Sequence, residues 1–269
     1  MAGWSPSRTV GCCTPRTACD PIAAISRLAA ASYKPPLVSV ETRDIKISLY
    51  LALPLLALVV NVELASEFRS RTMQGTQGYA ESAERLATQY ESITFADVHR
   101  DVLHLFPALP SRICDIGAGS GRDAAALAAQ GHKVVAVEPT EELRNEGMRL
   151  HDGKAIEWID DHLPSLDRLR TRDERFDLIL LTAVWMHLDE AEQYLGMESL
   201  AGLLTEGGRI SMSLRHGPVP HGRRMFDVST AQTTKLAASF GLQLVDSFDR
   251  EDMLGRTDVY WSFVVLEMR

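Results

Sequence analysis

The sequence has few cysteines and lacks the motifs of several large enzyme classes. Four cysteines among 269 residues exclude a scaffold held together by many disulfides. No HExxH, CxxC or GxSxG motif occurs, so metalloprotease, dithiol-redox and α/β-hydrolase functions lose support. Cys12, Cys13 and Cys19 lie close together, but no histidine or second cysteine pair accompanies them. We therefore predict no metal site.

The sequence also lacks a basic excess and internal repeats. Its net charge is −8 and its pI is near 5.5, so we predict no nucleic-acid partner. No repeat of 20–50 residues is visible, which argues against a solenoid or propeller. Hydrophobic residues make up 45% and charged residues 24%, which is typical of a globular protein. The length allows one large α/β domain with an extension.

Charge divides the chain near residue 72. Residues 1–72 contain eight Lys and Arg against five Asp and Glu, whereas the rest is strongly acidic and contains all eight histidines. Residues 1–40 show no hydrophobic period and look like a leader. We therefore predict an N-terminal extension, 1–72, and a main domain, 73–269.

An uncharged apolar segment, 47–62, lies inside the extension. Its sixteen residues fall short of the roughly 20 that cross a bilayer as a helix, and Pro54 interrupts it. Arg43 and Lys46 precede it, as in a signal peptide. Four interpretations stay open: a membrane anchor, an internal signal, a segment packed on the main domain, or a true start at Met73. We favour the Met73 start and a cytoplasmic protein, with membrane association as the alternative.

From residue 79 onward, apolar runs of strand length alternate with segments of helical period. Helices are predicted over 79–90, 94–105, 122–130, 140–150, 189–204 and 229–240, and strands over 112–116, 133–137, 155–159, 176–181, 209–214, 242–247 and 260–267. This order predicts a doubly wound, mainly parallel α/β sheet of the Rossmann-like type. A short connection without a helix joins the last two strands, which indicates an antiparallel pair.

A glycine-rich loop follows the first strand of this pattern. It reads Asp115-Ile-Gly117-Ala118-Gly119-Ser-Gly121 and opens a helix, and the second strand ends at Glu138. Ligands of such sheets bind beyond the carboxyl ends of the strands, and glycine lets the backbone approach them closely. The context therefore indicates a ligand-binding loop.

The glycine spacing leaves two classes of cofactor open. A dinucleotide fingerprint, G-x-G-x-x-G, fails from Gly117 because its last position is Arg122. From Gly119 it ends at Ala124, which is an allowed variant. Against the dinucleotide, the carboxylate of Asp115 would repel a pyrophosphate but suits a ligand with a cationic amino group.

Over residues 79–269 the chain resembles the class I S-adenosylmethionine-dependent methyltransferases. The family's acid-x-G-x-G-x-G loop is matched by Asp115, Gly117, Gly119 and Gly121, with Ala118 inside the loop. The resemblance implies S-adenosylmethionine as cofactor, and a seven-stranded sheet whose last strand is antiparallel. It also implies that Glu138 holds the ribose hydroxyls and that Asp160 or Asp161 contacts the adenine. Tyr79, in the helix before the sheet, would cover the cofactor.

Four further residues are candidates for acceptor chemistry. His187 follows the fourth strand at the ligand-facing edge and is the candidate general base. Trp185 either fills the core or lines the pocket for adenine or substrate. Arg215 and Arg223 belong to a segment, 215–226, with three arginines and two histidines. They, or Arg224 of the same segment, are candidates for binding an anionic or carboxylate acceptor, although a solvated loop explains the composition equally well.

The absence of two sequence features narrows the range of possible acceptors. Methyltransferases of the resembled superfamily that act on base or glutamine nitrogens carry an Asn/Asp-Pro-Pro-Tyr/Phe segment after strand four, where this chain has Thr182-Ala-Val-Trp185. Methylation of cytosine carbon needs a cysteine there, and none follows Cys114. We therefore predict methyl transfer to oxygen or nitrogen of a small molecule. The alternatives are an NAD(P)-binding oxidoreductase and a non-catalytic module of the same fold.

Overall fold

A computed structural model describes the backbone of 37–42 and 45–50 and all of residues 79–269. The chain divides into two units after Glu63. In the first unit, strands β1 (Leu37–Thr42) and β2 (Ile45–Tyr50) pair in antiparallel fashion. The apolar segment 47–62 extends beyond β2 and lies mostly outside the described residues, as do Met73, Cys12, Cys13 and Cys19. No helix within the described ranges has the length and apolar character needed to cross a membrane.

The second unit contains a seven-stranded sheet in which six strands run in one direction. Its strands are β3 (Arg112–Ile116), β4 (Lys133–Val137), β5 (Ile156–Ile159), β6 (Phe176–Leu181), β7 (Leu204–His216), β8 (Leu242–Glu251) and β9 (Tyr260–Met268). Their order is β5-β4-β3-β6-β7-β9-β8, and β9 is antiparallel to both neighbours. The predicted fold class is confirmed. Within the sheet, the differences are confined to strand ends, since β7 already begins at Leu204 and β8 continues to Glu251.

Helices precede the sheet and connect its strands, and all but the short α5 overlap a helix predicted from the hydrophobic period. They are α1 (Ala83–Glu91), α2 (Phe95–His99), α3 (Arg122–Ala129), α4 (Glu141–Leu150), α5 (Asp167–Arg170), α6 (Glu190–Gly202) and α7 (Thr230–Ala238). The side chains of Thr94, Asp189 and Ser229 cap α2, α6 and α7 by accepting from backbone N–H groups. The predicted helix 94–105 is split, because α2 ends at His99 and a 3₁₀ turn, Leu103–Leu105, follows. Residues 80–82 and 185–187 are also 3₁₀ turns.

Apolar side chains cover both faces of the sheet, as expected for buried parallel strands. Along β3, Cys114 and Ile116 belong to the larger core cluster, which includes residues of α6 and α7. Ile113 packs on the opposite face, against Ala124 and Leu127 of α3. Because side chains alternate along a strand, Asp115 shares this second face. Strand order reverses at β3, so its carboxyl end is the switch point where ligands of such sheets bind.

Candidate functional site

A cavity of about 440 Å³ opens at the carboxyl ends of β3, β4 and β6. One part of its wall, here called the glycine-loop end, is formed by Asp115, Gly117–Gly119 and Glu138. Another part, here called the arginine end, contains Tyr79, His187, Arg215 and Arg223. Most of the predicted cofactor and acceptor residues therefore line one cavity, although they span more than half of the chain.

The glycine loop turns through conformations that favour glycine. Gly117, Gly119 and Gly121 have φ values of 69°, 57° and 83°. A Cβ at Gly117 would lie 2.5 Å from Cγ2 of Val184, and one at Gly121 would lie 2.7 Å from the ring of Trp158. Gly117 and Gly119 line the cavity, whereas Gly121 packs on Trp158 outside it. Gly121 therefore shapes the loop, and the loop backbone between Gly117 and Gly119 is what faces a ligand.

The carboxylate of Asp115 is buried at the end of β3, and one of its oxygens is unpaired. The backbone N–H of Ala124 donates to this carboxylate, but Oδ2 has no partner among the described residues. Burial, together with the negative charge of Asp123, raises the pKa of Asp115 well above its ordinary value. An unpaired buried oxygen is costly, so the arrangement favours a ligand that brings a cationic donor to Oδ2.

A second buried carboxylate, Asp123, lies at the start of α3 and connects the glycine loop to neighbouring elements. It accepts from His99 Nε2 at 2.9 Å, from Arg122 Nε at 2.7 Å and from Thr182 Oγ1 at 2.8 Å. These partners hold the pKa of Asp123 well below its usual range despite burial. Asp123 was not predicted as a site residue, although an acid in the first turn of the helix after a glycine loop is a recognisable signal.

Glu138 is held rigidly beside the loop at the end of β4. Its Oε2 accepts from the N–H of Gly119 at 2.9 Å and its Oε1 from the N–H of Thr140 at 2.8 Å. Each carboxylate oxygen has a further lone pair, so both remain able to accept from a pair of ligand hydroxyls. Burial raises the pKa of Glu138, and the two backbone donors oppose this shift.

The two acids after β5 have different surroundings. Asp161 is buried in the cavity wall, where it accepts from the N–H groups of His162 and Leu169, each at 2.9 Å. Asp160 lies outside the wall and forms ion pairs with Arg144 and Arg168 at the surface. Of the predicted pair, only Asp161 is in position to contact a ligand.

Trp185 does not reach the cavity. Its side chain is fully buried in the larger core cluster and approaches Gly196 of α6. It lies in the same 3₁₀ turn as His187, which does line the cavity. The structure therefore corrects the substrate-binding prediction for Trp185 to a core position.

At the arginine end, Tyr79 and His187 form a hydrogen-bonded pair. The Tyr79 hydroxyl lies 3.2 Å from His187 Nε2, and His187 Nδ1 lies 2.8 Å from the carbonyl oxygen of Arg224. A carbonyl only accepts, so Nδ1 carries the proton of the neutral ring and Nε2 accepts from Tyr79. Burial and the nearby arginines lower the pKa of His187, which favours this neutral form.

The three arginines of the segment 215–226 have different roles. Arg224 donates to the carbonyl of His187 and forms ion pairs with Asp189 and Glu192, so it fastens the segment to the start of α6. The guanidinium of Arg223 lies 3.5 Å above the ring of Tyr79. Arg215 is 9% exposed, forms no ion pair with any residue in the described part of the chain, and donates at 3.4 Å to Gly217. Arg215 and Arg223 both line the cavity, and their role in binding an acceptor stays a prediction.

The connection between β8 and β9 completes the arginine end and was not predicted. Asp252, Met253, Leu254 and Arg256 line the cavity together with Trp261 at the start of β9. Asp252 organises this loop by accepting from Arg256 and from Trp261 Nε1. The loop carries no recognisable motif. The only feature of the sequence that pointed to it was its position between two strands predicted to be antiparallel.

The chain is similar in sequence to known methyltransferases. A family model described as a methyltransferase domain matches residues 113–208. The chain is 33% identical over 124 residues to a demethylmenaquinone methyltransferase of Clavibacter sepedonicus, a match covering 45% of this chain and 49% of that protein. It is 26% identical over 147 residues to an uncharacterized methyltransferase of Geobacillus kaustophilus, covering 55% and 66%. The chain thus spans about half to two thirds of these relatives.

Solved structures share the fold at low sequence identity. A TehB-like S-adenosylmethionine-dependent methyltransferase from Corynebacterium glutamicum has a TM-score of 0.54 at 19% identity, covering 70% of this chain and 99% of that one. A didemethyltoxoflavin N1-methyltransferase from Burkholderia thailandensis, solved with its substrate and S-adenosylhomocysteine, has a TM-score of 0.51 at 22% identity, covering 86% and 94%. The fold is therefore that of the class I methyltransferases, as the resemblance predicted.

Proposed function

We propose, from the match of residues 113–208 to a methyltransferase-domain family model, that this protein transfers a methyl group from S-adenosylmethionine to a small-molecule acceptor. One observation carries the proposal. The unpaired Oδ2 of Asp115, the glycine loop and the doubly anchored carboxylate of Glu138 share one wall of the cavity.

The glycine-loop end fits the functional groups of S-adenosylmethionine. Oδ2 of Asp115 is the acceptor that its ammonium group requires, and the oxygens of Glu138 suit its ribose hydroxyls. Asp161 is the candidate for the adenine amino group. When bound, this cofactor supplies an electrophilic methyl group on a sulfonium. The protein then has to orient the acceptor, exclude water and take up its proton.

The arginine end is the proposed acceptor site. Arg215 and Arg223 present positive charge to the cavity, and Met253, Leu254 and Trp261 provide apolar and aromatic walls. A small molecule with an apolar body and an anionic group, such as a carboxylate, matches both features. We propose that its reacting atom is an oxygen or nitrogen, with His187 as the group that ultimately receives the proton.

Calorimetric titration of the full chain tests the cofactor assignment. We expect saturable binding of S-adenosylmethionine and S-adenosylhomocysteine and none of NAD. Glu138→Ala should weaken binding severely, whereas Glu206→Ala, a change at an exposed residue of β7, should not. Binding of NAD alone would contradict the methyltransferase assignment and favour an oxidoreductase that transfers hydride.

Methyl transfer itself is tested with labelled cofactor and a panel of small acids and phenols. Transfer of label to an acceptor, reduced in Arg215→Met, supports the acceptor site. Cofactor binding without transfer to any acceptor would favour a non-catalytic module of the same fold.

A further inference from the structure

We propose that Tyr79 is a catalytic residue that carries the acceptor's proton to His187, so that the two side chains form a relay at the arginine end. This inference rests on the proposed function and assigns Tyr79 a different role from the covering of the cofactor that the resemblance implied. It follows from the direction of two hydrogen bonds and from the place of both residues in the cavity wall.

The direction of the hydrogen bonds leaves the Tyr79 oxygen available. Because the carbonyl of Arg224 occupies the Nδ1 proton of His187, the lone pair of Nε2 points to Tyr79. The hydroxyl of Tyr79 donates its single proton to that nitrogen at 3.2 Å. Its oxygen then has lone pairs left and no remaining proton, so it can only accept from a further protic group. Tyr79 thus presents an acceptor, not a donor, to the cavity.

The same geometry blocks direct access to the imidazole base. Nδ1 is bound to the chain and Nε2 is bound to Tyr79, so neither nitrogen has a free lone pair for a ligand. A protic acceptor molecule therefore meets the phenol first. The rings lie at 78° with centroids 5.9 Å apart, and Arg223 stacked on the phenol holds it in place.

Proton transfer through this pair balances. As the acceptor's oxygen or nitrogen gains the methyl group, its O–H or N–H proton passes to the Tyr79 oxygen. The original hydroxyl proton passes to Nε2 of His187. The positive charge lost from the methyl donor reappears on the imidazolium, and Tyr79 is a neutral phenol before and after. The carbonyl of Arg224 accepts from the imidazolium and stabilises it.

The charged and titratable groups around the pair set how readily His187 accepts the proton. Arg215, Arg223 and Arg224 oppose the imidazolium. Burial and Glu138 raise the pKa of Tyr79, while Arg223 and Arg215 lower it. An anionic acceptor that pairs with Arg215 and Arg223 would offset two of these positive charges. Binding of the acceptor thus makes His187 a stronger base when a base is needed.

Nitrogen NMR of the histidine rings tests the relay without turnover. With ¹⁵N-histidine in the full chain, and His187→Asn to assign the resonance, we expect the Nδ1–H tautomer of His187 at neutral pH. Tyr79→Phe should shift the Nε2 resonance toward that of an unbonded ring nitrogen. Tyr194→Phe, the same change at an exposed tyrosine of α6, should leave it unmoved. An Nε2–H tautomer, or no shift in Tyr79→Phe, would overturn the inference.

Kinetics with the acceptor found by the labelled-methyl screen tests the catalytic role. Tyr79→Phe should lower kcat about 100-fold, as expected for loss of acid–base catalysis, with unchanged calorimetric affinity for S-adenosylhomocysteine. The pair Tyr79→Phe and His187→Asn should be no slower than His187→Asn alone, because a relay fails as a unit. The relay is contradicted if the fold losses in kcat of the two single variants multiply in the double variant, or if Tyr79→Phe retains full activity. If the original protein does not bind S-adenosylmethionine or S-adenosylhomocysteine at all, the proposed function is refuted instead.

Discussion

Asp115 shows that a single residue of the proposed binding site can lower the free energy of unfolding. Its pKa is raised in the folded protein, so the folded state holds a proton that the unfolded chain has already released above about pH 4. Stability therefore falls as pH rises from that value through the folded-state pKa. At neutral pH the buried carboxylate is a cost that a cationic ligand would offset.

Asp115→Asn separates these two effects. The amide keeps an acceptor for the N–H of Ala124 and removes the buried charge, so we expect a gain of about 1–2 kcal/mol in the free energy of unfolding at neutral pH. Loss of the charge partner should weaken binding of S-adenosylhomocysteine by about 2–5 kcal/mol. Urea unfolding at pH 5 and pH 8 and calorimetry measure both. A variant less stable than the original at pH 8, or one that binds normally, would contradict the assignment.

Gly117 offers a test of loop geometry at one backbone position. An added methyl group would lie 2.5 Å from Val184 at φ 69°, so Gly117→Ala combines backbone strain with a clash. We expect a loss of about 2–4 kcal/mol in unfolding free energy and no detectable cofactor binding. Gly131→Ala is the matched control, because Gly131 has φ 90° with open space around it. It should lose only about 1 kcal/mol and bind normally. Equal losses in the two variants would show that the clash is absent.

Among the elements of secondary structure, strands were predicted well and side-chain directions at their ends were not. Buried runs such as 176–181 have an unambiguous length and hydrophobicity, and β6 matches that range. Asp160 and Asp161 are adjacent, yet one faces solvent and the other the cavity, because the turn after β5 decides the direction. Likewise Trp185 and His187 share a 3₁₀ turn but point to the core and the cavity. Such directions depend on tertiary contacts that a single sequence does not encode locally.

The segment after β7 provides a prediction about how one element positions the site. Arg224 joins this segment to α6 through Asp189 and the buried Glu192, and its carbonyl orients His187. Arg224→Met should leave Glu192 with only the N–H of Asp189, and we expect a loss of about 2 kcal/mol in unfolding free energy.

The same variant should retain affinity for S-adenosylhomocysteine, because the glycine-loop end does not depend on Arg224, and should broaden the His187 ring resonances. Thermal unfolding, calorimetry and NMR measure the three quantities. Arg149→Met, which removes a solvent-exposed ion pair with Glu146, is the control and should leave the unfolding transition in place. Unchanged stability of Arg224→Met would show that the segment is held by other contacts.

Across the whole domain, the cavity joins parts of the chain that are far apart in sequence. Tyr79 comes from the segment before α1, the glycine loop and Glu138 from β3 and β4, and the arginine end from β7 and the β8–β9 connection. A ligand bound to these walls contacts both halves of the sheet. Local motifs revealed the glycine-loop end, whereas the arginine end became recognisable only once the strand order had brought its parts together.

Ligand binding should therefore stabilise the domain as one cooperative unit. At a free S-adenosylhomocysteine concentration of 100 times its Kd, linkage predicts a gain of about 2.7 kcal/mol in unfolding free energy. The urea midpoint should rise with an unchanged m value, because the surface exposed on unfolding is nearly the same. NAD at equal concentration and Asp115→Asn with S-adenosylhomocysteine should show no such rise. A two-step transition, in which the ligand stabilises only one step, would mean that the arginine end unfolds independently and that the cavity is not maintained by a single cooperative fold.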